Sequence, residues 1–390
     1  MSEKNTKLEA PENKSGLERR QFLKKAGVGA TALGAIALTA ACTKKTEESA
    51  APAVQAKKKF EWKMVTTWPK GFPGLGTGAD YLARIIGEMS DGQLTVKVYG
   101  GGELVPALES FDAVSKGTAE MGHGAAYYWK GKSEAAQFFA AVPFGLNADE
   151  MTGWIYYGGG QQLWDEVYAP FGVKGFAAGN TGVQMGGWFN KEINSINDFN
   201  GLKMRMPGLG GEVLGAIGAV PVNLPGGEIF SSLQSGAIDA TEWVGPYNDL
   251  AFGFYKAAKY YYWPGWHEPG TTLECFVNLN AFNELPKELQ AVVEQACKAA
   301  NGDMFAEFTA RNSSALNDLI VTHGVQLKRF PDDVLMKLAT ASQEVVSNLA
   351  GKNAENKKVY DSFAKFRADS IKWNNISEVG YSLARASIKN

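Results

Sequence analysis

A strand–helix–strand rhythm that occurs twice is the feature that most limits how this chain of 390 residues can fold. The first round begins with "FEWKMVTTWP", whose alternating, β-rich residues indicate a strand, and continues through a helix at about 79–90 to the strand "GQLTVKVY". The second round contains "VKGFAAGNTGVQMGGWFN", which indicates two strands, and "GLKMRMPGLGGEVLGAIGAVPVNLP", which indicates strand, helix and strand. Such a rhythm predicts α/β layers with largely parallel sheets.

Two phrases in the separate rounds are alike. "ESFDAVSKGTAEMG" and "EIFSSLQSGAIDAT" each have an acidic start, apolar helix positions, a glycine as the stop and then a strand. We therefore expect two lobes built from similar units. From Pro286 onward the pattern is helical, and residues 331–373 carry an apolar stripe that must pack somewhere. This tail either wraps across both lobes or reaches a second subunit.

The charge balance excludes one class of partner. The chain has 39 Lys and Arg against 41 Asp and Glu, for a net charge of -2. Nucleic-acid binding needs a basic field, so we expect no nucleic-acid partner.

Residues 1–58 are predicted to be an export signal followed by a polar linker. Arg19 and Arg20 precede an apolar run at 26–41, which is shorter and less apolar than a membrane span and ends at Cys42. The phrase "RRQFLK" resembles the twin-arginine signal, and the small residues before Cys42 resemble a lipoprotein cleavage site. Two outcomes stay open in the periplasm: a protein tethered to a bacterial membrane through acylated Cys42, or a free one.

Cysteine and histidine give no sign of a metal cluster. Cys275 and Cys297 are too few for a disulfide framework, and buried free thiols are preferred to a disulfide between them. His123, His267 and His323 lie far apart and form no ligand motif, so we interpret all three as structural imidazoles.

Polar residues at predicted strand ends are the candidates for chemistry. Nucleotide-site and serine-nucleophile motifs are missing, and the glycines of "GLGTG" and "GLGG" indicate simple turns. Arg205 in "LKMRMPG" projects from a strand end and suits a bidentate contact with a carboxylate, the alternative being a surface arginine. Gln184 in "TGVQMGG" is a carboxamide in an apolar strand, the alternative being a sheet-edge hydrogen bond.

Two glutamates raise a question of charge. Glu242, beside Trp243, closes the second helix–strand unit, and Glu268 lies in "GWHEPGTT". A buried carboxylate must be protonated or paired, and two of them would repel an organic anion unless a metal ion lay between them. Oxygen ligands suit a hard cation such as sodium or calcium.

Several phrases together resemble a known family. "LESFDAVSKGTAEMG", "LKMRMPG" and "FSSLQSGAIDATEWVGP" resemble the solute-binding subunits of tripartite ATP-independent periplasmic (TRAP) transporters, the DctP family. The resemblance runs from Lys59 to the C-terminus. "GNTGVQMGGWF", "TEWVGPYND" and "WHEPG" resemble the subgroup that binds 2-oxo acids such as pyruvate.

The resemblance implies a periplasmic-binding-protein-like α/β fold, with two lobes joined by crossing strands and long C-terminal helices. We expect lobe I at 59–152 plus 242–281, lobe II at 153–241 plus 282–330, and a C-terminal helical segment at 331–390. In the subgroup this last helix can swap between two subunits, which implies a homodimer. The other implied partner is the membrane permease of the transporter.

The resemblance also assigns roles to residues. It implies substrate contacts by Gln184, Arg205, Trp243, Tyr128 and Trp129, although core packing is the alternative for the aromatic side chains. It implies cation ligands from Gln184, Glu242, Glu268 and the backbone carbonyl of Trp243.

The function expected from these roles is capture of a small monocarboxylate through Arg205 and a bridging cation, with sodium favoured over calcium, for delivery to the permease. One alternative is a binding protein for lactate or another 2-hydroxy acid with calcium. Another is a periplasmic hydrolase that uses Glu242 and Glu268 as acid and base. We expect no enzyme, because an arginine facing the carboxylates would depress the pKa that an acid needs.

Overall fold

The computed structural model describes residues 58–388, so the predicted export signal, with Arg19, Arg20 and Cys42, lies outside the described residues. The strands are β1 (Phe60–Thr66), β2 (Leu94–Tyr99), β3 (Met121–Gly124), β4 (Val173–Asn180), β5 (Gly187–Phe189), β6 (Lys203–Arg205), β7 (Val220–Val222), β8 (Ala240–Thr241), β9 (Tyr260–Trp263), β10 (Thr272–Asn278) and β11 (Gln326–Arg329). The α-helices are α1 (Leu75–Met89), α2 (Ser110–Ser115), α3 (Ala148–Tyr157), α4 (Gly160–Tyr168), α5 (Gly208–Ala216), α6 (Gly226–Ser235), α7 (Pro246–Phe252), α8 (Leu279–Glu284), α9 (Lys287–Val321), α10 (Asp332–Gly351), α11 (Ala354–Ile376) and α12 (Glu378–Ala386).

Each lobe is built on one sheet. Sheet I, in lobe I, has the order β2-β1-β3-β10-β4, and sheet II, in lobe II, has the order β11-β9-β5-β8-β6-β7. Sheet I is parallel except for β10, and sheet II is parallel except for β5. The predicted two-lobed α/β fold with largely parallel sheets is confirmed.

The similar phrases fold into the same unit in the two lobes. In lobe I, α2 is followed by Gly117 at φ 75° and then by β3, and in lobe II, α6 is followed by Gly236 at φ 75° and then by β8. A positive φ favours glycine, which explains why both helices end there. Each unit delivers the residues that follow its strand to the carboxyl end of a parallel sheet.

The chain crosses between the sheets at 181–186 and again at 264–271, and these crossings change the predicted lobe ranges. Strand β4, which we assigned to lobe II, belongs to sheet I, and β9, from the predicted range of lobe I, belongs to sheet II. Periodicity identifies a buried strand but not the sheet whose hydrogen bonds it completes. Divided at these crossings, α4 and β4 belong with lobe I, whereas Glu242, Trp243 and α7, which we had assigned to lobe I, belong with lobe II. The boundaries at 281 and 330 stay a prediction.

Long helices tie the lobes together. Helix α9, with 35 residues, packs against β4 and α1 in lobe I and against α7 in lobe II. Helix α10 then packs on α5, and α11 returns to α3 and α4, so the C-terminal segment wraps across both lobes. No helix between residues 58 and 388 is both long and apolar enough to cross a membrane.

Helix α12 differs from the helices before it, because none of its residues is buried. Large apolar side chains lie exposed on it and just before it, namely Trp373, Ile376, Val379, Tyr381 and Leu383. This apolar end of the chain is not covered by the rest of the described residues.

Candidate ligand and cation site

Both sheets turn their carboxyl ends to the cleft between the lobes, where open α/β sheets usually bind ligands. Arg205 is the last residue of β6, and Glu242 directly follows β8. Tyr128 lies in a 3₁₀ turn, Ala126–Trp129, that follows β3 of lobe I. The two crossing segments contribute Gln184 and Glu268, so the predicted site residues come together from five parts of the chain.

Arg205 is 1% exposed and makes polar contacts on every side of its guanidinium. Its Nη1 donates to the carboxylate of Glu242, its Nε donates to the carbonyl of Leu224 at 3.2 Å, and its Nη2 donates to the hydroxyl of Tyr128 at 3.2 Å. Burial is the largest single effect on Arg205 and opposes its charge, but the Glu242 carboxylate together with Tyr128 and Tyr127 outweighs burial, so the pKa of Arg205 is raised. The guanidinium also lies 5.0 Å from the ring centre of Trp243.

Glu268 is held by the crossing segments. Its Oε2 accepts hydrogen bonds from Gln184 Nε2 at 2.8 Å and from the hydroxyl of Thr271. Burial, followed by the nearby charge of Glu242, raises the pKa of Glu268 to about 7. Ligand atoms of Glu242, His267 and Glu268 lie within 4.8 Å of one another, which is close enough for a shared metal ion.

Two oxygens in this group suit a cation. Gln184 Oε1 and Glu242 Oε2 are buried, and neither has a hydrogen-bond partner among the described residues. A buried acceptor without a partner costs roughly 1–3 kcal/mol, so such atoms call for an explanation. Carboxylate and carboxamide oxygens are what sodium and calcium prefer, and the residues present therefore fit a hard cation.

Aromatic side chains close the cleft. The indole of Trp243, from lobe II, meets Trp68 and Phe72 of lobe I with ring centres 6.2 and 6.4 Å apart. Beside them lies a cavity of about 10 Å³, lined from both lobes by Trp68, Leu75, Tyr127, Tyr128, Thr181, Gln184, Trp243, Val244 and Leu273. Such a space holds about one water, so the lobes must separate before an organic acid can reach Arg205.

Trp129 does not join this group, which corrects its assignment as a substrate contact. Its indole N–H donates to Glu274, and its ring packs against Phe111 and Phe276 inside lobe I. Neighbouring residues of a 3₁₀ turn point in different directions, so Tyr128 reaches the cleft while Trp129 fills the core, as the packing alternative allowed. Tyr127 lines the cavity instead and was missed.

His267 was also missed, because an isolated histidine in sequence does not reveal which crossing carries it. Its Nε2 lies 3.4 Å from Glu242 Oε2. His123 and His323 are structural as predicted: one accepts a 2.8 Å hydrogen bond from Trp68 Nε1, and the other stacks on Tyr255.

Cys275 and Cys297 are buried free thiols, as predicted.

Comparison with known proteins gives a consistent result. Residues 64–353 match the family described as bacterial extracellular solute-binding protein, family 7. A monocarboxylate 2-oxoacid-binding periplasmic protein of Nostoc sp. is 44% identical over 366 residues, which cover 94% of this chain and 98% of that protein.

Two solved structures have the same fold. A TRAP periplasmic solute binding protein from Colwellia psychrerythraea, with bound calcium and pyruvate, is 44% identical with a TM-score of 0.81, over 83% of this chain and 99% of that one. One from Pseudoalteromonas atlantica, with bound sodium and pyruvate, is 41% identical with a TM-score of 0.82, over 85% of this chain and 100% of that one.

Proposed function

The chain belongs to the bacterial extracellular solute-binding proteins of family 7, the DctP family, and from this premise we propose that it captures a 2-oxo monocarboxylate such as pyruvate. Capture takes place together with a bridging sodium or calcium ion, and the loaded protein passes its ligand to the membrane permease of a TRAP transporter. The observation that carries the proposal is one buried arginine beside two buried oxygens that lack hydrogen-bond partners within residues 58–388.

The arrangement suggests a division of labour. Arg205 binds the ligand carboxylate with its guanidinium fork, which matches a carboxylate in shape and charge. Glu242, Gln184, Glu268 and the backbone carbonyl of Trp243 would hold the cation, which would also bind oxygen atoms of the ligand. The positive ion offsets the two carboxylates, so an anionic ligand is not repelled.

Closure follows from where these groups lie. Tyr128 belongs to lobe I, Arg205 and Glu242 belong to lobe II, and the crossing segments lie between them. A ligand that touches all three parts binds the closed form better and shifts the population towards it. The permease then recognises the closed form.

The test is calorimetric titration of pyruvate into protein that has been freed of ligand and cation. We expect tight binding with sodium or calcium present and much weaker binding in a buffer of organic cations with a chelator. Mass spectrometry of the native protein should find a 2-oxo acid and a cation retained together. Equal affinity with and without these cations would rule out the bridging ion.

The same titration separates the neighbouring hypothesis. A binding protein for lactate or another 2-hydroxy acid would prefer that ligand over pyruvate in the presence of calcium. The relatives with pyruvate bound support the 2-oxo acid.

We propose a transport role without enzymatic activity. Arg205 already donates to the carboxylate of Glu242, so this carboxylate is engaged in an ion pair and is not presented to a substrate as a general acid. Turnover of a small acid by the purified protein would overturn this part of the proposal.

We also propose how the protein reaches its place of action and assembles. Export through the twin-arginine signal takes it to the periplasm, where Cys42 is either acylated or removed. The exposed apolar side chains of α12 support a homodimer formed through the C-terminal helix. Labelling of Cys42 by a fatty acid in cells, and the effect of replacing Arg19 and Arg20 by lysine on export, test the first two points.

A further inference from the structure

His267 occupies an unusual position for a histidine in a protein core. It is 1% exposed, and neither of its ring nitrogens has a hydrogen-bond partner among the described residues. Its ring meets Trp266 edge to face, and its Cβ would lie 3.0 Å from a Cβ placed on Gly210 of α5. The side chain is thus packed in place with its polar atoms unsatisfied.

What it faces is one oxygen of Glu242. His267 Nε2 lies 3.4 Å from Glu242 Oε2, which accepts no hydrogen bond from any residue that the structure describes, while Arg205 donates to the other oxygen, Oε1. His267 belongs to the second crossing segment, and Glu242 directly follows strand β8 of lobe II. A donor on His267 Nε2 is therefore within reach of this carboxylate from the crossing segment.

Once a ligand is bound, Glu242 needs a hydrogen-bond donor besides Arg205 to keep its orientation. In the function proposed above, Arg205 turns part of its guanidinium to the ligand carboxylate, and Glu242 then depends less on that side chain for its orientation. A carboxylate oxygen can accept one hydrogen bond and still bind a cation with its other lone pair. Carboxylates that bind metals are generally held by such neighbours, and loss of one typically weakens metal binding about 10- to 100-fold.

We propose that His267 is a positioning residue of the cation site, whose N–H at Nε2 aims Glu242 Oε2 at the ion without itself binding it. The inference rests on the proposed function. Imidazole nitrogen suits zinc, copper or nickel, whereas sodium and calcium take oxygen ligands. An N–H donor beside an oxygen-only site is the arrangement that agrees with the ions found in the two solved relatives.

The test compares three variants of His267. His267→Gln keeps an N–H donor near the position of Nε2. His267→Asn has a donor that stops one bond short of that position, and His267→Met has an apolar side chain of similar length without a donor. Calcium is titrated into each cation-free protein at saturating pyruvate, and tryptophan fluorescence reports the binding. We expect His267→Gln to bind calcium within about threefold of wild type, and His267→Asn and His267→Met to bind it about 10- to 100-fold more weakly.

Two further readouts separate positioning from a structural role. The thermal midpoint of each cation-free variant shows whether the fold survives the change. With calcium in large excess, the pyruvate affinity of His267→Met should return close to that of wild type, because only the cation step is affected.

Several results would overturn the inference. Unchanged calcium affinity in His267→Met would do so, and so would equal losses in the Gln and Met variants when their thermal midpoints match wild type. Cobalt(II) absorption bands that disappear in His267→Gln would make the imidazole a direct ligand. If pyruvate binds wild type without any cation, the proposed function itself fails, and that result is visible before any variant is made.

Discussion

At the scale of single residues, Arg205 links the two lobes, because its guanidinium bonds Glu242 in its own lobe and Tyr128 in the other. We expect Arg205→Ala to weaken 2-oxo acid binding roughly 30-fold or more, since truncating one partner of a buried charged pair costs about 2–5 kcal/mol. Arg205→Lys should also bind weakly, because it keeps the charge but loses the planar fork. Calorimetry with excess cation measures both.

Tyr128→Phe is the matched control for this prediction. It removes only the hydroxyl that accepts from Arg205, so we expect about a 2- to 10-fold loss of affinity. If Arg205→Ala binds the ligand within a few-fold of wild type, Arg205 does not belong to the site.

Glu274 gives a pH dependence that is unrelated to the ligand. Its carboxyl group is buried in sheet I, where it accepts hydrogen bonds from Trp129 and Tyr168, and burial raises its pKa to about 8. Between the ordinary glutamate pKa and about 8, the unfolded chain releases this proton and the folded chain keeps it. The free energy of unfolding therefore falls as pH rises through that window, by up to about 1.4 kcal/mol per pH unit.

Glu274→Gln should remove this part of the dependence, because the amide is close in shape to the protonated acid and does not titrate. Urea unfolding at pH 5 and at pH 8 measures the change: we expect the difference in unfolding free energy between the two values to be smaller in the variant. Burial raises the pKa of Asp249 to about 7, so Asp249 makes the unfolding free energy depend on pH in both proteins. A slope as steep in Glu274→Gln as in wild type would contradict the prediction.

The sequence was sufficient for the strongly patterned part of the site. Arg205 and Glu242 could be placed because the first ends a recognisable strand and the second directly follows one, and the carboxyl ends of parallel strands meet at one edge. His267 could not be placed, since its role depends on where the second crossing segment passes. Trp129 and Tyr128 are adjacent in sequence, and only the turn geometry decides which of them reaches the cleft.

At the scale of elements, the C-terminal helices separate into a packed part and an exposed part. Val359 and Phe363 of α11 are buried, and Phe363 packs against Phe138 and Trp154 of lobe I, whereas α12 has no buried residue. We expect deletion of residues 377–390 to leave the unfolding free energy and ligand affinity near those of wild type and to shift a dimer towards monomer. Light scattering over a concentration series measures the shift.

Deletion of residues 354–390 is the contrasting variant. It removes the buried Phe363, and the loss of such a side chain alone costs about 3–5 kcal/mol, so urea unfolding should occur at a much lower midpoint. An unchanged mass for the shorter deletion would argue against a dimer formed through α12.

The element boundaries were predictable where local chemistry sets them, as the two helix ends at Gly117 and Gly236 illustrate. The sheets to which β4 and β9 belong could not be predicted, because strand pairing depends on partners far away in sequence. The same distinction explains why the tail was predicted to be helical while its path across both lobes was left open.

At the scale of the whole molecule, a polar contact across the cleft holds the lobes together away from the ligand. Lys130 of lobe I lies 3.2 Å from Glu212 of α5, and Gln137 Nε2 lies 3.4 Å from the same carboxylate. We expect Glu212→Gln to favour the open form and to lower ligand affinity about 1.5- to 5-fold, since exposed ion pairs contribute about 0.2–1 kcal/mol. Small-angle scattering of the ligand-free protein should give a larger radius of gyration.

Asp112→Asn is the control, because it breaks a similarly exposed pair with Lys132 that lies within lobe I alone. This variant should leave affinity and radius unchanged. Equal effects of the two substitutions would show that the contact between Lys130 and Glu212 has no special part in closure.

The place of β10 in sheet I bears on how a newly made chain acquires its shape. This strand lies between β3 and β4, yet it is the last strand of the sheet to be synthesised. While the ribosome is still adding residues before 278, β3 and β4 therefore lack their shared neighbour and expose unpaired edges that can aggregate. Sheet I therefore cannot complete its hydrogen bonds until about residue 278 has been made, and a chain whose first lobe is completed this late suits the predicted twin-arginine route, which exports folded proteins.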